Sequence, residues 1–425
     1  MNVLLIGSGG REHALSLKIS ESDLLGKLYI IPGNPGTAQF GENINLDVND
    51  HAKIVELCKK AKIDLVVIGP EQPLVDGLAD ILRKNNVLVF GPDAKAAEIE
   101  AQKLFAKYIM KSIGVPTANY IEFNTSMYEY AIDYLKQKKY PCVIKANGLA
   151  AGKGVVICNN SDEAREALHS FFIDKIFGIS GEKILIEEFL TGEEASVFAI
   201  TDGTNFVCLP PSQDYKRIGE NDTGKNTGGM GAYAPAPMVT DEILEDVSAK
   251  IIDPVLRALS TEGRKFIGCL YAGLILTDEG PKVIEFNCRF GDPETQAVLP
   301  LLKGDFLKLL YSAANGNLDK DAISYDKGCA VCVVSASKGY PESYQVGYEI
   351  NGLENIPQNV IVFHAGTKDI AGKIVTNGGR VLGVTSVIHD NDFSAAKKLA
   401  YNALANIHFD NIYYRKDISN KIIKV

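Results

Sequence analysis

The stretch Pro141–Val156, PCVIKANGLAAGKGVV, constrains this chain more than any other. An apolar strand, Val143–Ile144, delivers Lys145 into a loop of small residues: Gly148, Ala150, Ala151, Gly152 and Gly154. A second apolar strand, Val155–Ile157, follows at once. Glycine permits positive φ and lets backbone N–H groups approach a ligand without interference from a Cβ. A loop of that kind, flanked by Lys145 and Lys153, suits a polyphosphate. It is not the G-x-x-x-x-G-K-[ST] loop that opens a helix. Lys153 is followed by Gly154 and Val155, no hydroxyl is placed for a metal, and the loop joins two strands. The competing reading is a mobile hairpin whose lysines serve solubility, so the rest of the chain has to decide.

Upstream, apolar runs alternate with glycine turns and helical patterns. Asn2–Gly7 enters Gly7-Ser8-Gly9-Gly10 and a helical pattern from Arg11 to Ile19, whose start is a ready anion site. Leu28–Ile31 leads to Pro32-Gly33-Asn34-Pro35-Gly36, Asp64–Ile68 to Gly69-Pro70-Glu71, and Val87–Phe90 to Gly91-Pro92. This order predicts a parallel, doubly wound sheet with ligands at the strand C-terminal ends. A dinucleotide fingerprint would need glycine where Glu12 stands. Arg11 and Glu12 at the mouth suit a phosphate plus a hydroxyl or amine better than a pyrophosphate. One helix is expected from about Ala94 to Met110, capped by Asp93, carrying Lys103 and ending at Gly114-Val115-Pro116.

From Thr117 to about Ile200 strands and helices alternate, and the strand Lys183–Glu187 runs into Glu188-Phe189-Leu190-Thr191-Gly192-Glu193-Glu194. Ser212–Met230, SQDYKRIGENDTGKNTGGM, reads as a binding loop because it combines Asp214, Lys216, Arg217, Thr227 and paired glycines; the alternative is a solvated excursion. Leu270–Leu276 and Lys282–Phe286 pair through a turn at Asp278-Glu279-Gly280. Strand alternation sets Glu285 and Asn287 on one face and Phe286 on the other. Two oxygen donors at a strand end suit Mg²⁺, which takes a carboxylate or two together with waters and phosphate oxygens. Arg289 keeps the same parity, and its planar fork favours an anion. A surface salt-bridge cluster is the bland alternative. From about Tyr325, β-rich segments such as CAVCVVS and GGRVLGVTSV precede a helix, Phe393–Ile407, and predict a third, mostly β domain.

With 425 residues the chain should hold two or three domains. A composition of 46% hydrophobic and 23% charged residues is that of a soluble globular protein. The net charge of −9 argues against general nucleic-acid binding, which needs a basic face, but permits a local cationic pocket. No basic segment precedes an apolar one at the N-terminus, and no apolar run approaches the roughly 18 residues of a membrane span. The 8 cysteines are scattered, and Cys329-Ala-Val-Cys332 lies in an apolar run without a nearby histidine, which reads as buried strand thiols. A reduced, cytoplasmic protein is expected.

Three stretches, IKANGLAAGKGV, IEEFLTGEEAS and IEFNCRFGDPETQ, together resemble an ATP-grasp ligase. With GSGGREHA, PGNPGT, GPEQPLVDG, SQDYKR, NTGGMGAY and NGGRVLGVT, in the same order over essentially the full length, the chain resembles the phosphoribosylamine–glycine ligase family of purine biosynthesis. That resemblance implies an α/β and α+β multidomain fold: a Rossmann-like substrate-binding domain over 1–100, an ATP-grasp domain over 101–325 and a small β-rich domain over 326–425. It implies that ATP, glycine and 5-phosphoribosylamine give ADP, phosphate and glycinamide ribonucleotide through glycyl phosphate, with Mg²⁺ or Mn²⁺.

By the same resemblance, Lys103 and Lys145 with Gly152, Lys153 and Gly154 would hold the phosphates, and Glu285 and Asn287 the metal. Glu187, Glu188, Phe189 and Leu190 would offer backbone groups to adenine. Glu193 or Glu194 would hold the ribose, with Glu194 favoured because it directly precedes an apolar strand. Arg289 would meet the glycine carboxylate and Asp214 its ammonium, with Asp292 contributing; Lys145, Arg289 and Asp214 form the catalytic set. Gly9, Gly10, Arg11, Glu12, Asn34 and Glu71, with Thr227, Gly228, Gly229 and Met230, would hold phosphoribosylamine. The family suggests a monomer without nucleic-acid or membrane partners.

Two departures stand out. Asn147 occupies a position where close relatives often have Asp, which argues against a catalytic carboxylate there, and Leu270–Leu276 carries no acidic metal ligand. The rival readings are another ATP-grasp ligase with a different acceptor, a non-catalytic nucleotide-binding module and an NAD-type oxidoreductase. Both lysines, the Glu285/Asn287 pair and Arg289 are all present, against the second; Glu12 stands against the third.

Overall fold

In a computed structural model, which describes residues 1–150, 152–325 and 327–423, the N-terminal apolar runs form a parallel sheet. Ala151 of the glycine loop and Asp326, where the third domain is expected to begin, lie outside the described residues. The strands are β1 (Asn2–Gly7), β2 (Lys27–Pro32), β3 (Glu42–Asn43), β4 (Leu65–Ile68) and β5 (Leu88–Phe90), in the order β3-β2-β1-β4-β5. β1 is apolar from Val3 to Ile6 because both of its faces are covered there. Leu4 and Ile6 enter one core, Val3 and Leu5 another. The strand order reverses between β1 and β4, so the Gly7–Gly10 turn sits at the switch point where such sheets bind ligands.

The helices here are α1 (Gly10–Ser20), α2 (His51–Lys60), α3 (Glu71–Val75), α4 (Leu78–Lys84), α5 (Ala94–Ala101) and α6 (Lys103–Ile113). The single helix expected over Ala94–Met110 is therefore two. Asp93 caps α5 as expected, accepting from the Ala96 N–H, but Gln102 is extended, at φ −134° and ψ 101°. The break exposes the first-turn N–H groups of α6, and Asn147 meets them from the glycine loop. Lys103 N–H donates to the Asn147 carbonyl at 3.0 Å and Leu104 N–H to its Oδ1 at 2.8 Å. α6 closes on Gly114 at φ 73°, a left-handed cap that glycine adopts without penalty.

β6 (Tyr120–Asn124), β7 (Cys142–Ala146), β8 (Val155–Cys158) and β9 (Lys183–Glu188) make an antiparallel sheet in the order β6-β9-β7-β8. Helices α7 (Tyr128–Gln137) and α8 (Ser161–Phe172) pack on it through Leu135, Leu168 and Phe171. β10 (Glu193–Thr201) and β11 (Phe206–Cys208) begin the next sheet. The segment expected to be one loop, Ser212–Met230, is largely ordered as strands. It contains β12 (Gln213–Asp214) and a hairpin of β13 (Arg217–Gly219) and β14 (Thr223–Asn226), and it leads into β15 (Gly231–Ala234). After α9 (Asp241–Val247) and α10 (Asp253–Thr261), β16 (Gly268–Thr277) and β17 (Gly280–Asn287) complete the order β11-β10-β16-β17.

The remaining strands are β18 (Leu302–Gly304), β19 (Ile323–Tyr325), β20 (Cys329–Ser337), β21 (Val360–His364), β22 (Thr367–Ile370), β23 (Lys373–Thr376), β24 (Arg380–Ile388) and β25 (Ile412–Tyr413). The helices are α11 (Glu294–Val298), α12 (Phe306–Ala314), α13 (Phe393–Leu404) and a last short α14 (Asn420–Ile423). The large sheet runs β12-β15-β20-β24-β21, with β25 beside β20, so it takes two strands from well before residue 326. The fully buried β15 draws the Asp214 and Thr227 segments into that sheet. A buried clasp joins it to the N-terminal turn: His364 N–H donates to His13 Nδ1 at 2.8 Å, and Asn34 Nδ2 donates to His364 O at 2.9 Å. Burial, with His364 alongside, holds His13 neutral with its pKa down at about 3. Among the described residues no helix is long and apolar enough to cross a membrane, and Cys329 and Cys332 are buried free thiols on β20.

Candidate active site

β7 carries Lys145 to a buried position between β9 and Ile284 of β17. Lys145 pairs with Leu185, so Glu187, two residues further along β9, shares its face. The two side chains are 4% and 3% exposed, and Lys145 Nζ lies 2.9 Å from Glu187 Oε2. Lys145 also donates to Ile284 O at 3.2 Å, the residue before Glu285. Lys103 Nζ reaches Gly148 O at 3.3 Å, and burial pulls its pKa below the ordinary lysine value while Glu285 opposes this. Gly152 is at φ 74°, and a Cβ there would face Thr227 O at 3.5 Å. A Cβ at Gly154 would stand 2.6 Å from that of Ala150, so this turn admits only glycine. Lys153 is exposed.

In the Glu187–Leu190 segment the first two side chains have partners within the protein. The Glu187 side chain is held inside between Lys145 and Lys107, whose Nζ lies 3.2 Å from Oε1. Glu188 accepts from Asn119 N–H at 2.9 Å, and Phe189 is exposed. Of the two ribose candidates, Glu194 is paired with Lys216 at 2.5 Å, whereas Glu193 accepts from Gln213 Nε2 at 3.2 Å.

The face of β17 nearest Lys145 and Lys103 carries Glu285 and Asn287, while Phe286 points into the core behind. Across the strand pair Glu285 faces Gly273 and Asn287 faces Tyr271. Gly273 leaves open the space beside the carboxylate; a Cβ there would meet Glu285 Cγ at 3.3 Å. Burial pushes the Glu285 pKa up, but Lys216, Lys145, Lys103 and Arg289 together bring it below the ordinary value. One carboxylate and one amide, with no group of three metal-type side chains among the described residues, fit a cation that completes its shell with phosphate oxygens and water. They do not make an all-protein cage.

Arg289 is clamped between two carboxylates. Its Nε lies 3.2 Å from Glu71 Oε2 and its Nη2 3.2 Å from Glu100 Oε1, while Glu100 also accepts from Cys288 N–H at 2.7 Å. Burial would raise the Glu71 pKa, but Arg289 and Arg11 draw it down to about 2. Asp214 sits in an acidic group with Glu294 and Glu194, countered by Lys216 at 3.8 Å. Burial, with those neighbours, lifts Asp214 to about 7 against the pull of Lys216. Ser196 ties Glu294 Oε1, at 3.3 Å, to the Tyr271 hydroxyl, at 2.8 Å.

Gly9, Arg11, Glu12 and Asp292 line a cavity of about 520 Å³ together with Asn45–Val48 and Pro70. Several of the expected residues there also have partners within the protein. Glu12 is buried and caps its own helix: Oε2 accepts from Gly9 N–H at 2.7 Å and Oε1 from Arg11 Nε at 2.6 Å. A Cβ on Gly69 would stand 2.1 Å from that carboxylate, which accounts for both the glycine and the acid. Asn34 spends its amide on Ser8 O, His364 O and the Gly36 and Thr37 N–H groups. Gly10 faces Gln296, and Met230 is fully buried. The turn at Thr227–Gly229 is held against Asp292-Pro293 by Arg380, which donates to Gly228 O at 2.5 Å and Asp292 O at 2.7 Å.

Sequence reasoning missed Lys107, Glu100, Glu294, Tyr271 and Arg380. Lys107 stands one helical turn from Lys103, and Arg380 lies inside NGGRVLGVT, so those two signals were visible. Glu100 and Glu294 needed the tertiary fold.

Family models for the phosphoribosylglycinamide synthetase N domain, ATP-grasp (A) domain and C domain match residues 1–100, 101–295 and 330–421. The chain is 46% identical over 419 residues to a phosphoribosylamine–glycine ligase of Caldanaerobacter subterraneus subsp. tengcongensis, covering 99% of each chain. It superposes on the crystal structure of phosphoribosylamine–glycine ligase from Thermotoga maritima with a TM-score of 0.84 and 34% identity, over 99% of this chain and 100% of that one. A biotin carboxylase domain from Hydrogenobacter thermophilus, solved with MgADP and bicarbonate, shares the fold alone: TM-score 0.72, 18% identity, 97% of this chain and 91% of that one. Lysines from the glycine-loop strand and from α6, gathered around the β17 carboxylate, are therefore found in a chain that belongs to the phosphoribosylglycinamide synthetase, or phosphoribosylamine–glycine ligase, family.

Proposed function

We propose that the chain joins glycine to 5-phosphoribosylamine at the expense of ATP, giving glycinamide ribonucleotide, ADP and phosphate. One observation carries this reading. Lys145 lies against Ile284, next to Glu285, and Glu285 feels the charges of Lys103, Lys216 and Arg289 as well. A cleft so lined can take a triphosphate on one side and a small zwitterion on the other. Glycine's carboxylate becomes an acylating agent only after it takes the γ-phosphoryl group, forming glycyl phosphate; the sugar amine then attacks the acyl carbon and phosphate leaves. Such a transfer depends on positioning and charge neutralisation.

Lys103 and Lys145 would supply cationic charge to the phosphates, and the Gly152–Gly154 loop would close over them and keep water from glycyl phosphate. Glu285 and Asn287 would hold Mg²⁺ or Mn²⁺, which supplies further neutralisation of phosphate oxygens when bound. Glu187–Leu190 would receive adenine, and Glu193 or Glu194 the ribose. Since Glu194 is already paired with Lys216, Glu193 now has the stronger claim. Glu71 and Glu100 fix the plane of Arg289, against which the glycine carboxylate would rest, and ionised Asp214 would take its ammonium. Gly9, Arg11, Asp292 and the Thr227–Gly229 backbone would surround phosphoribosylamine, with Glu12, Asn34 and Met230 holding those segments in place.

The division at 1–100, 101–325 and 326–425, a cytoplasmic location and a monomeric state belong to the same proposal. The expected result is ADP release that requires both glycine and freshly generated phosphoribosylamine. Better turnover with another amino acid or amine under the same conditions overturns the reading.

A further inference from the structure

One buried cation has no part in the mechanism above. Lys107 is 2% exposed and lies on α6, four residues after Lys103, so both lysines project from one helix face. Its ammonium donates to Thr117 Oγ1 at 2.8 Å and to Ala118 O at 3.0 Å, and it sits 5.3 Å from the centre of the Tyr120 ring. An ion pair to Glu187 Oε1 at 3.2 Å completes its surroundings. The other oxygen of the same carboxylate is 2.9 Å from Lys145. Thr117 in turn donates to Val283 O at 2.6 Å, two residues before Glu285.

The charge count decides the meaning. Two ammonium groups share one carboxylate, so the trio carries one net positive charge. Without Lys107, Glu187 would neutralise Lys145 outright. A close ion pair projects only a dipole, whose field falls off faster with distance than that of a charge, and in a water-poor cleft the difference is large. An ion pair at each oxygen also sets the carboxylate between the two ammonium groups.

We propose that Lys107 is a positioning residue: it supplies the counter-charge of Glu187 and thereby leaves the charge of Lys145 for the phosphates of the nucleotide. This rests on the ATP-binding role proposed above for Lys145. Burial lowers the Lys107 pKa to about 8, with Glu187 opposing the shift and Lys145 adding to it, so the residue is charged at neutral pH. The groups facing it are Glu187 and Glu188 from β9, Lys145 from β7 and Tyr120 from β6.

The test uses the full chain and ATP. Lys107→Met and Lys107→Gln should each weaken ATP binding about tenfold or more, equivalent to ~1.4 kcal/mol, with the glycine KM within about twofold. Lys107→Arg should recover most of the loss. The double variant Lys107→Gln/Glu187→Gln should bind ATP better than Lys107→Gln alone, because removing the carboxylate frees the Lys145 charge again; a lysine that only supports packing gives a double variant no better than the single. ATP affinity within twofold of wild type in the single variants, or no recovery in the double, overturns the proposal. Should Lys107→Met fail to fold, Lys107→Gln keeps a donor for Thr117 and Ala118. Should neither fold, the pH dependence of the wild type decides: ATP affinity should fall above pH about 8 and hold steady in Lys107→Arg, and a flat wild-type profile overturns the idea. Lys145→Met separates the two readings. If it binds ATP normally, the assignment of the ATP site itself is lost; if it fails while the Lys107 variants bind normally, only this inference is lost.

Discussion

Asn147 offers the sharpest perturbation. Its Oδ1 takes the Leu104 N–H at 2.8 Å, and its own carbonyl takes the Lys103 N–H at 3.0 Å, while Gln102, at the formal cap position, makes no side-chain cap. Alanine removes the first bond and keeps the second. Loss of a side-chain cap costs about 1 kcal/mol, and an unmet N–H in a partly buried setting raises that toward ~2 kcal/mol. α6 aims Lys103, whose Nζ reaches Gly148 O at 3.3 Å, so the loss falls on the nucleotide side of the cleft. At ~1.4 kcal/mol per factor of ten, the ATP KM should rise about 5- to 30-fold, with a fall in melting temperature of about 1–2 °C for a chain of this length. Asn147→Asp keeps an oxygen at the same place and adds a negative charge at a helix N-terminus, a favourable ~0.3–1 kcal/mol. Its melting temperature should match or exceed wild type and its kcat should stay within about twofold. Steady-state kinetics with varied ATP, beside calorimetric melting, reads both. An alanine variant indistinguishable from wild type would falsify the capping role, and a large gain in kcat with aspartate would return a carboxylate to the chemistry.

Glu285→Ala and Lys145→Ala should leave folding largely intact yet remove most phosphoryl transfer, read as ADP release; wild-type rates in either variant remove that residue from the mechanism. Arg380→Met deletes the charged donor to Gly228 O and Asp292 O. Bonds of that kind contribute ~1.5–3 kcal/mol, so the phosphoribosylamine KM should rise at least tenfold while the ATP KM holds, and an equal rise in both counts against a local role. Asp214, lifted to about 7 by burial, must ionise to take an ammonium, so kcat/KM for glycine should climb with pH through about 7 and then level. Asp214→Asn should abolish that limb, and a limb that persists assigns it elsewhere. The linkage runs the other way for stability. A carboxyl whose folded pKa lies above its ordinary 3.8 stabilises the fold below pH about 4, and that contribution is lost as pH rises through about 7.

Much of this protein was legible one residue at a time. The alternation of apolar runs with glycine turns predicts the parallel sheet, because βα units can bury a strand on both faces only in that way. Strand parity places Glu285 and Asn287 together, and the glycine turn between two strands is visible in the residues themselves, since local periodicity and backbone freedom need no partner. What the line of residues could not decide is who stands opposite whom. Glu12 and Asn34 look like ligand donors in sequence, and only the fold shows that their polar atoms also serve a helix cap and the clasp to His364. Ser212–Met230 looks like a loop because its strands are short and polar, and they are stable only as edges and hairpins set against elements distant in the chain. The break at Gln102 has the same origin: its cap lies on Asn147, forty-five residues away. Helix and strand patterns report the neighbours that chain spacing supplies, whereas burial, charge pairing and capping between separate elements exist only once the chain has closed on itself.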